Sequence, residues 1–264
     1  MFALLKGLWA YRGFIVSSIR NEFVSRFARS RLGGLWMIIH PLAQVAIYAL
    51  VLSNVLAARL PGIESKYGYA QYLLAGILAW SLFSEIVTRC LTLFIEQGSL
   101  MKKMRFPRIT LPVIVMGSSL LNNLLLLAAL LGVFALLGQL PHVQMLWLVP
   151  LTLACLVIAL GIGLILGILN VFVRDIGQAV PILLQMWFWF TPIIYPLNII
   201  PEAYRGALAF NPMFPIVNAY HDVLVYGRAP DAQHVLLLCL AGLVLMGLGL
   251  FMFRRAAPEM VDVL

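Results

Sequence analysis

Few side chains in this chain have the type and spacing that chemistry needs. The four histidines, at positions 40, 142, 221 and 234, are scattered along the chain, which argues against a metal site. His221 and Asp222 are adjacent, but neighbours on a helix face different ways, so they make a poor catalytic pair. No glycine is followed directly by lysine, so G-x-x-x-x-G-K-[ST] is missing and the chain has no P-loop of its own. G-x-S-x-G is missing too. Cys90, Cys155 and Cys239 lie far apart in apolar runs and read as small buried residues. Glu85 stands inside an apolar run, where an acid is by default a proton-relay candidate. Arg89 follows four residues later, in the favoured order for a helical ion pair, so a mutually neutralised pair is the simpler reading. The residues therefore point away from an enzyme.

The densest charge lies in "EQGSLMKKMRFPR", Glu96 to Arg108, between two long apolar runs. Lys102, Lys103, Arg105 and Arg108 stand there against the single acid Glu96. Gly98 precedes a short run that Pro107 ends. Leu100, Met101, Met104 and Phe106 add apolar groups to a segment that should face water. Leu100/Met101 and Met104 fall on one side of a short helix. Two readings stay open from the residues alone: a docking element with an apolar and a basic side, or a basic anchor that only fixes membrane topology.

The elements that hold these residues follow from composition. Of 264 residues, 63% are hydrophobic and 11% charged. A soluble globular chain is about 45–50% apolar and about 25% charged. Repeated apolar runs of about 20 residues predict an all-α integral membrane protein forming one transmembrane domain over 1–264. Six spans are expected, at 35–57, 70–95, 109–137, 145–171, 176–196 and 233–253. The net charge of +8 sorts by loop rather than marking a nucleic-acid binder. Lys6, Arg12, Arg20, Arg26, Arg29 and Arg31, the 96–108 loop with Arg89 before it, Arg174, and Arg254 with Arg255 fall on one side. Arg59, Lys66, Arg205 and Arg228 fall on the other. This bias predicts that both termini, the 96–108 loop and the 254–264 tail are cytoplasmic. Residues 1–31 lack a signal-peptide pattern, so the first span is expected to target the chain itself.

Two segments are unusual. Ile15, Ile19, Phe23 and Phe27 repeat every four residues, with Ser18, Glu22, Ser25 and Arg29 read as the opposite side. This predicts a helix within 1–34 lying in the cytoplasmic membrane interface. Gly33-Gly34 then breaks it before the chain enters the membrane at Leu35. Later, "WFWFTPIIYP", Trp187 to Pro196, is followed by proline-punctuated apolar pieces too short to cross about 30 Å of hydrocarbon. Irregular backbone at membrane depth must be buried in protein or line a wet cavity. Residues 197–230 are therefore expected to form a re-entrant helical pair entering from the outer side, with a surface-lying periplasmic loop as the other reading. The glycines at 161, 163, 167, 242, 247 and 249 mark close helix packing, either at a dimer seam or within one subunit.

"RFARSRLGGLWMIIHP" (Arg26 to Pro41), "MRFPR" after the second span, "FVRDI" (Phe172 to Ile176) and "FTPIIYP" occur in that order. The layout resembles, over essentially the whole chain, the transmembrane subunits of ATP-binding-cassette exporters for polysaccharides, the O-antigen (Wzm-like) type above the capsule and teichoic-acid types. The resemblance implies that the loop of Glu96, Leu100, Met101, Lys102, Lys103, Met104, Arg105, Phe106 and Arg108 is a coupling helix seated in a separate ATPase subunit. It implies a homodimer in the bacterial cytoplasmic membrane. ATP and magnesium would bind the partner ATPase, and no cofactor would bind this chain. The implied substrate is a polyprenyl-diphosphate-linked polysaccharide.

The residue chemistry suits that substrate. Sugar C–H faces stack on aromatic rings, so Trp80, Phe83, Trp187, Trp189, Phe190 and Tyr195 are candidates for the path, though aromatics are also common at membrane interfaces. Arg26, Arg29 and Arg31 are candidates for the diphosphate, with lipid headgroups as equal claimants. A drug or lipid exporter on the same scaffold is an alternative. A membrane polysaccharide polymerase or ligase is a further one, disfavoured because 197–230 is mostly apolar.

Overall fold

In the computed structural model, residues 9–28, 68–103, 107–136, 142–208 and 210–263 are described, with isolated positions at 7, 35, 36, 39, 42, 43 and 47. The expected first span, 35–57, lies almost wholly outside them. Regular structure among the described residues is helical. It comprises α1 (Arg12–Ala28), α2 (Gly68–Glu96), α3 (Gly98–Lys103), α4 (Thr110–Leu136), α5 (Leu148–Phe172, after a 3-10 turn at Val143–Trp147), α6 (Ile176–Phe190), α7 (Glu202–Leu208), α8 (Met213–Leu224) and α9 (Ala232–Val263).

By length and composition, four stretches can cross a membrane: Gly68–Glu96, Thr110–Gly132, Val143–Phe172 and Ala232–Met260. They coincide with the second, third, fourth and sixth expected spans. The fifth differs. It was expected over 176–196, but α6 stops at Phe190 after 15 residues, about 22 Å of rise. Thr191 precedes Pro192, and a residue before proline is driven out of the helical region. Thr191 is extended, at φ −102 and ψ 132. Its hydroxyl donates to the Trp187 carbonyl at 2.9 Å, satisfying a group the helix end leaves open. α9 continues unbroken past the expected sixth span through Val263.

α2 is the central helix, buried along almost its whole length from Gly68 to Phe94. It packs on α4, α5, α6 and α8, while α9 packs on the other side of α5. Small residues set these approaches. A Cβ added at Gly167 would strike the Cys90 carbonyl of α2, and one at Gly163 would lie 2.8 Å from the Cys90 Cβ. On the opposite face of α5, a Cβ at Gly161 would lie 2.6 Å from the Met246 backbone nitrogen of α9, and one at Gly249 would lie 3.1 Å from the Gly161 carbonyl. Helix association in lipid depends on such close packing. These glycines serve contacts within the subunit. Buried amides add to the seams: Asn123 donates to the Leu78 carbonyl and Asn170 to the Leu91 carbonyl, each at 2.8 Å.

The bundle has two distinct ends. One gathers α3, the start of α4, the turn from α5 to α6 and the C-terminal part of α9. The other gathers the start of α2, residues 191–231 and the start of α9. There Asp231 caps α9, accepting the Gln233 N–H at 2.9 Å and contacting His234 Nδ1 at 2.8 Å. The Gln233 hydrogen bond, with His234 beside it, holds the Asp231 carboxyl below its usual pKa.

Candidate functional site

At the α3 end, Gly98–Lys103 forms one short helix, as the pattern of the segment suggests. Leu100, Met101, Lys102 and Lys103 lie on it, and the Lys102 side chain is exposed. Glu96 is exposed at the end of α2. Met104, Arg105 and Phe106 lie outside the described residues. Arg108 is not an outward-facing cation. It is half-buried, and its Nη1 donates to the Ala257 carbonyl of α9 at 2.6 Å.

α1 runs against α4, where Ile19 lies over Gly117 and Ile15 is buried. The expected polar side of α1 is corrected at Glu22. That residue follows Ile15 by seven positions, two helical turns, so it falls on the buried stripe. Glu22 pairs there with Arg89 of α2. Arg89 also reaches Glu85 at 3.5 Å and donates to the hydroxyls of Ser118 at 2.7 Å and Ser119 at 3.1 Å. Glu85 in turn accepts from the Asn122 amide at 2.8 Å. The expected Glu85–Arg89 pair is thus part of a network joining α1, α2 and α4. The signals that could have revealed it are the register of Glu22 and the run Ser118-Ser119 with Asn122-Asn123 in an otherwise apolar helix. A cavity of about 520 Å³ adjoins the network, lined by Phe14, Ser18, Thr88, Thr92 and Glu96 among others. Of the proposed headgroup residues, Arg26 lies on α1 with its side chain not described, and Arg29 and Arg31 are outside the described residues.

At the opposite end the six aromatic candidates separate. Trp80 and Phe83 are core residues, 8% and 0% exposed, so in this conformation neither offers a face to a path. Both rings pack edge-on against Trp187, with centroids 6.2 Å and 5.1 Å away. They lie on the side of α2 that α6 covers, which removes them from any opening. Trp187 donates its indole N–H to the Asn211 side chain at 2.7 Å. With Phe190, Leu208, Phe210 and Pro212 it also lines a shallow cleft of about 330 Å³. Trp189 and Phe190 are 51% and 66% exposed. Tyr195 is half-buried and donates to the Trp189 carbonyl at 2.6 Å.

A polar signal on α6 escaped the sequence reading. Gln178, Ile182, Gln185 and Trp189 are spaced four, three and four apart, which puts them on one stripe, and all four are exposed. The opposite side of α6, with Val180 and Leu184, is the buried one.

The segment after α6 is anchored inside the protein. Tyr69 donates to the Ile194 carbonyl at 2.7 Å, and Tyr72 to the carbonyls of Pro192 and Tyr195 at 3.2 Å each. Most of α8 is buried against α2 and α5. His221 stacks on Tyr72 with ring centroids 3.6 Å apart. These tyrosine hydroxyls satisfy backbone carbonyls that no helix pairs, as buried irregular backbone requires.

Residues 14–225, most of the chain, match the family model described as ABC-2 type transporter. The chain belongs to the ABC-2 type transporter family. This ABC-2 chain is also similar over nearly its whole length to curated relatives. It is 29% identical over 99% of both chains to the O-antigen export system permease protein RfbA of Myxococcus xanthus. It is 26% identical to a protein of that name from Klebsiella pneumoniae, over 95% of this chain and 94% of the relative. Identity to the polysialic acid transport protein KpsM of Escherichia coli is 26%, over 91% and 92%. The chain is therefore a multi-pass membrane transporter subunit, and its apolar helices and buried inter-helix amides fit that class.

Proposed function

We propose that this chain is the membrane-spanning subunit of an ATP-driven exporter that moves a polyprenyl-diphosphate-linked, O-antigen-like polysaccharide across the bacterial inner membrane. The observation that carries the reading is the end-to-end similarity to permeases named for O-antigen and polysialic acid export. A separate ATPase docks on Glu96–Arg108, and two copies of this chain form the pore. Both termini are cytoplasmic, with six spans counting 35–57, and the helices of 197–230 are re-entrant from the outer side.

The exposed stripe of α6 supports a path for a hydroxylated polymer. An amide facing hydrocarbon without a partner costs several kcal/mol. Gln178 and Gln185 on the stripe of Trp189 therefore favour a wet, shared surface over a lipid-facing one. Sugars would stack on Trp189 and hydrogen-bond to the two amides. Trp80, Phe83 and Trp187 act behind them, by holding α6 on α2.

The test is deletion of this subunit in its native host. Surface polysaccharide should disappear while lipid-linked polymer accumulates in the cytoplasm, and restoring the chain should reverse both. Unchanged surface polymer would overturn the reading. The docking surface has its own test, replacement of Met104 and Phe106 by Asp. Two charges on an apolar contact should lower ATPase co-purification by more than about tenfold, the scale of lost interface hot spots. The membrane subunit should still accumulate.

A further inference from the structure

α9 is longer than a span requires. Its 32 residues rise about 48 Å, against about 30 Å of hydrocarbon. The surplus is its C-terminal end, beginning near Arg254 and Arg255, and that end is not a loose tail. Met260 is fully buried, at 0% exposure. Phe253 stacks on Phe94 of α2 with ring centroids 5.4 Å apart. The Arg108 guanidinium, at the far end of the proposed docking loop, holds the Ala257 carbonyl. α9 also packs directly against α3. The same helix is keyed into α5 at Gly161 and Gly249, and α5 leads through the short turn Val173–Asp175 into α6, which bears the exposed glutamine stripe.

We propose that the C-terminal helical end, Arg254–Val263, is a transmission strut. α3 packs on α9 directly, Arg108 ties the chain entering α4 to the same helix, and buried Met260 is a positioning residue that seats this end of α9, so that displacement of α3 by the ATPase moves the α9–α5 pair and with it α6. The inference rests on the reading of Glu96–Arg108 as the ATPase-docking loop. Among the described residues, α3 also packs on α2, the helix that precedes it in the chain. The strut gives a second route, to helices that α3 does not adjoin in sequence. It also explains why Arg108 turns inward from a segment whose other basic residues fit a docking role.

The test uses the complete exporter, this chain with its ATPase, in proteoliposomes and in cells. The variants are a truncation after Ala256, Met260→Asp and Met260→Leu. For Met260→Asp and the truncation, ATPase co-purification and ATP hydrolysis should persist while polymer exported per ATP falls by about tenfold, a usual size for coupling between sites. Met260→Leu keeps the apolar contact and should restore coupling. Normal export per ATP in the truncated exporter would overturn the strut and leave the docking reading intact. Equal loss of protein, ATPase binding and export would also overturn it, since the end would then only stabilise the fold. If the unaltered chain retains no ATPase, the docking reading fails and the strut fails with it.

Discussion

Helices α1 and α8 are both too short to span a membrane, and both pack on the bundle from outside its main helices. Their attachments differ. α8 buries Met213, Ile216, Val217, Ala219, Tyr220, His221, Val223 and Leu224 of its 12 residues. Among the α1 residues whose exposure is described, Ile15 is buried and the rest are half-buried or exposed. α8 fits a prepared surface: Gly76 of α2 leaves room for His221, Tyr72 stacks on that ring, and Tyr220 meets Thr152 at 2.7 Å. α1 is held largely by Ile19 over Gly117 and by the Glu22–Arg89 pair, with a cavity beside it. Packing of the α8 kind fixes a single arrangement, because a close-packed seam has few alternatives. A helix with one buried residue among those described, and a cavity beside it, can leave its seat at lower cost, so α1 is the more detachable of the two.

The sharpest way to break this contrast is to fill the space that seats α8. A Cβ at Gly76 would lie 2.9 Å from His221 Nε2, 3.0 Å from Ile193 Cγ2 and 3.3 Å from the Ile193 Cα. Gly76→Ala should therefore destabilise by about 2–3 kcal/mol, towards the upper end of overpacking costs. Gly132→Ala is the matched control, because a Cβ there meets nothing within 4 Å. Alanine is the better helix former, so the control should be neutral or stabilise by up to about 1 kcal/mol. Thermal unfolding of both purified variants decides it. Equal midpoints would mean the α8 seat is softer than its packing implies.

A smaller effect is expected at Tyr220. Tyr220→Phe removes the buried hydroxyl contact to Thr152 and should cost about 1 kcal/mol, the net worth of one hydrogen bond. The Thr152 hydroxyl can turn back to a carbonyl in its own helix, which limits the loss. Adding Thr152→Val should recover part of it if the two groups act as a pair. Additive costs in the double variant would show that the two hydroxyls do not act as a pair.

What the sequence discloses divides along the same line. The spans at 70–95, 109–137, 145–171 and 233–253 were legible because a run of about 20 apolar residues has few other fates. The short helices within 197–230 were legible from proline spacing. The fifth span was expected to run on to 196, with Pro192 and Pro196 as the places for a kink or end, and α6 stops at the first of them because Thr191-Pro192 outweighs the apolar pattern beyond it. Glu22 was misplaced because a four-residue apolar repeat drifts around a helix of 3.6 residues per turn, and after two turns the polar residue occupies the inner face. The roles of Trp80 and Phe83 could not be read from residue type, since an aromatic that lines a path and one that packs a core look alike in sequence. Gln178 and Gln185 were legible in principle, as polar residues seven apart on one short apolar helix.

The smallest predicted effect is the most informative about α1. Glu22→Gln keeps the shape of the side chain and removes its charge. Arg89 keeps Glu85, Ser118 and Ser119, so its guanidinium is not stranded and no large penalty arises. The Arg89 and Glu22 side chains are 21% and 26% exposed, and a pair that meets solvent to this degree is worth up to about 1 kcal/mol. Global unfolding should therefore barely shift. Hydrogen exchange should respond locally instead, with amide protection across Arg12–Ala28 falling by up to about fivefold, the equivalent of that energy in a local opening. Protection of α8 should stay unchanged. Arg20→Gln removes an exposed charge from α1 and should alter neither helix. Partly buried pairs are also screened less by salt than exposed ones, so raising ionic strength should reproduce only part of the Glu22→Gln effect. If Glu22→Gln loosens α1 no more than Arg20→Gln does, the network does not hold the helix, and its attachment must be credited to apolar contacts such as Ile19 over Gly117 of α4.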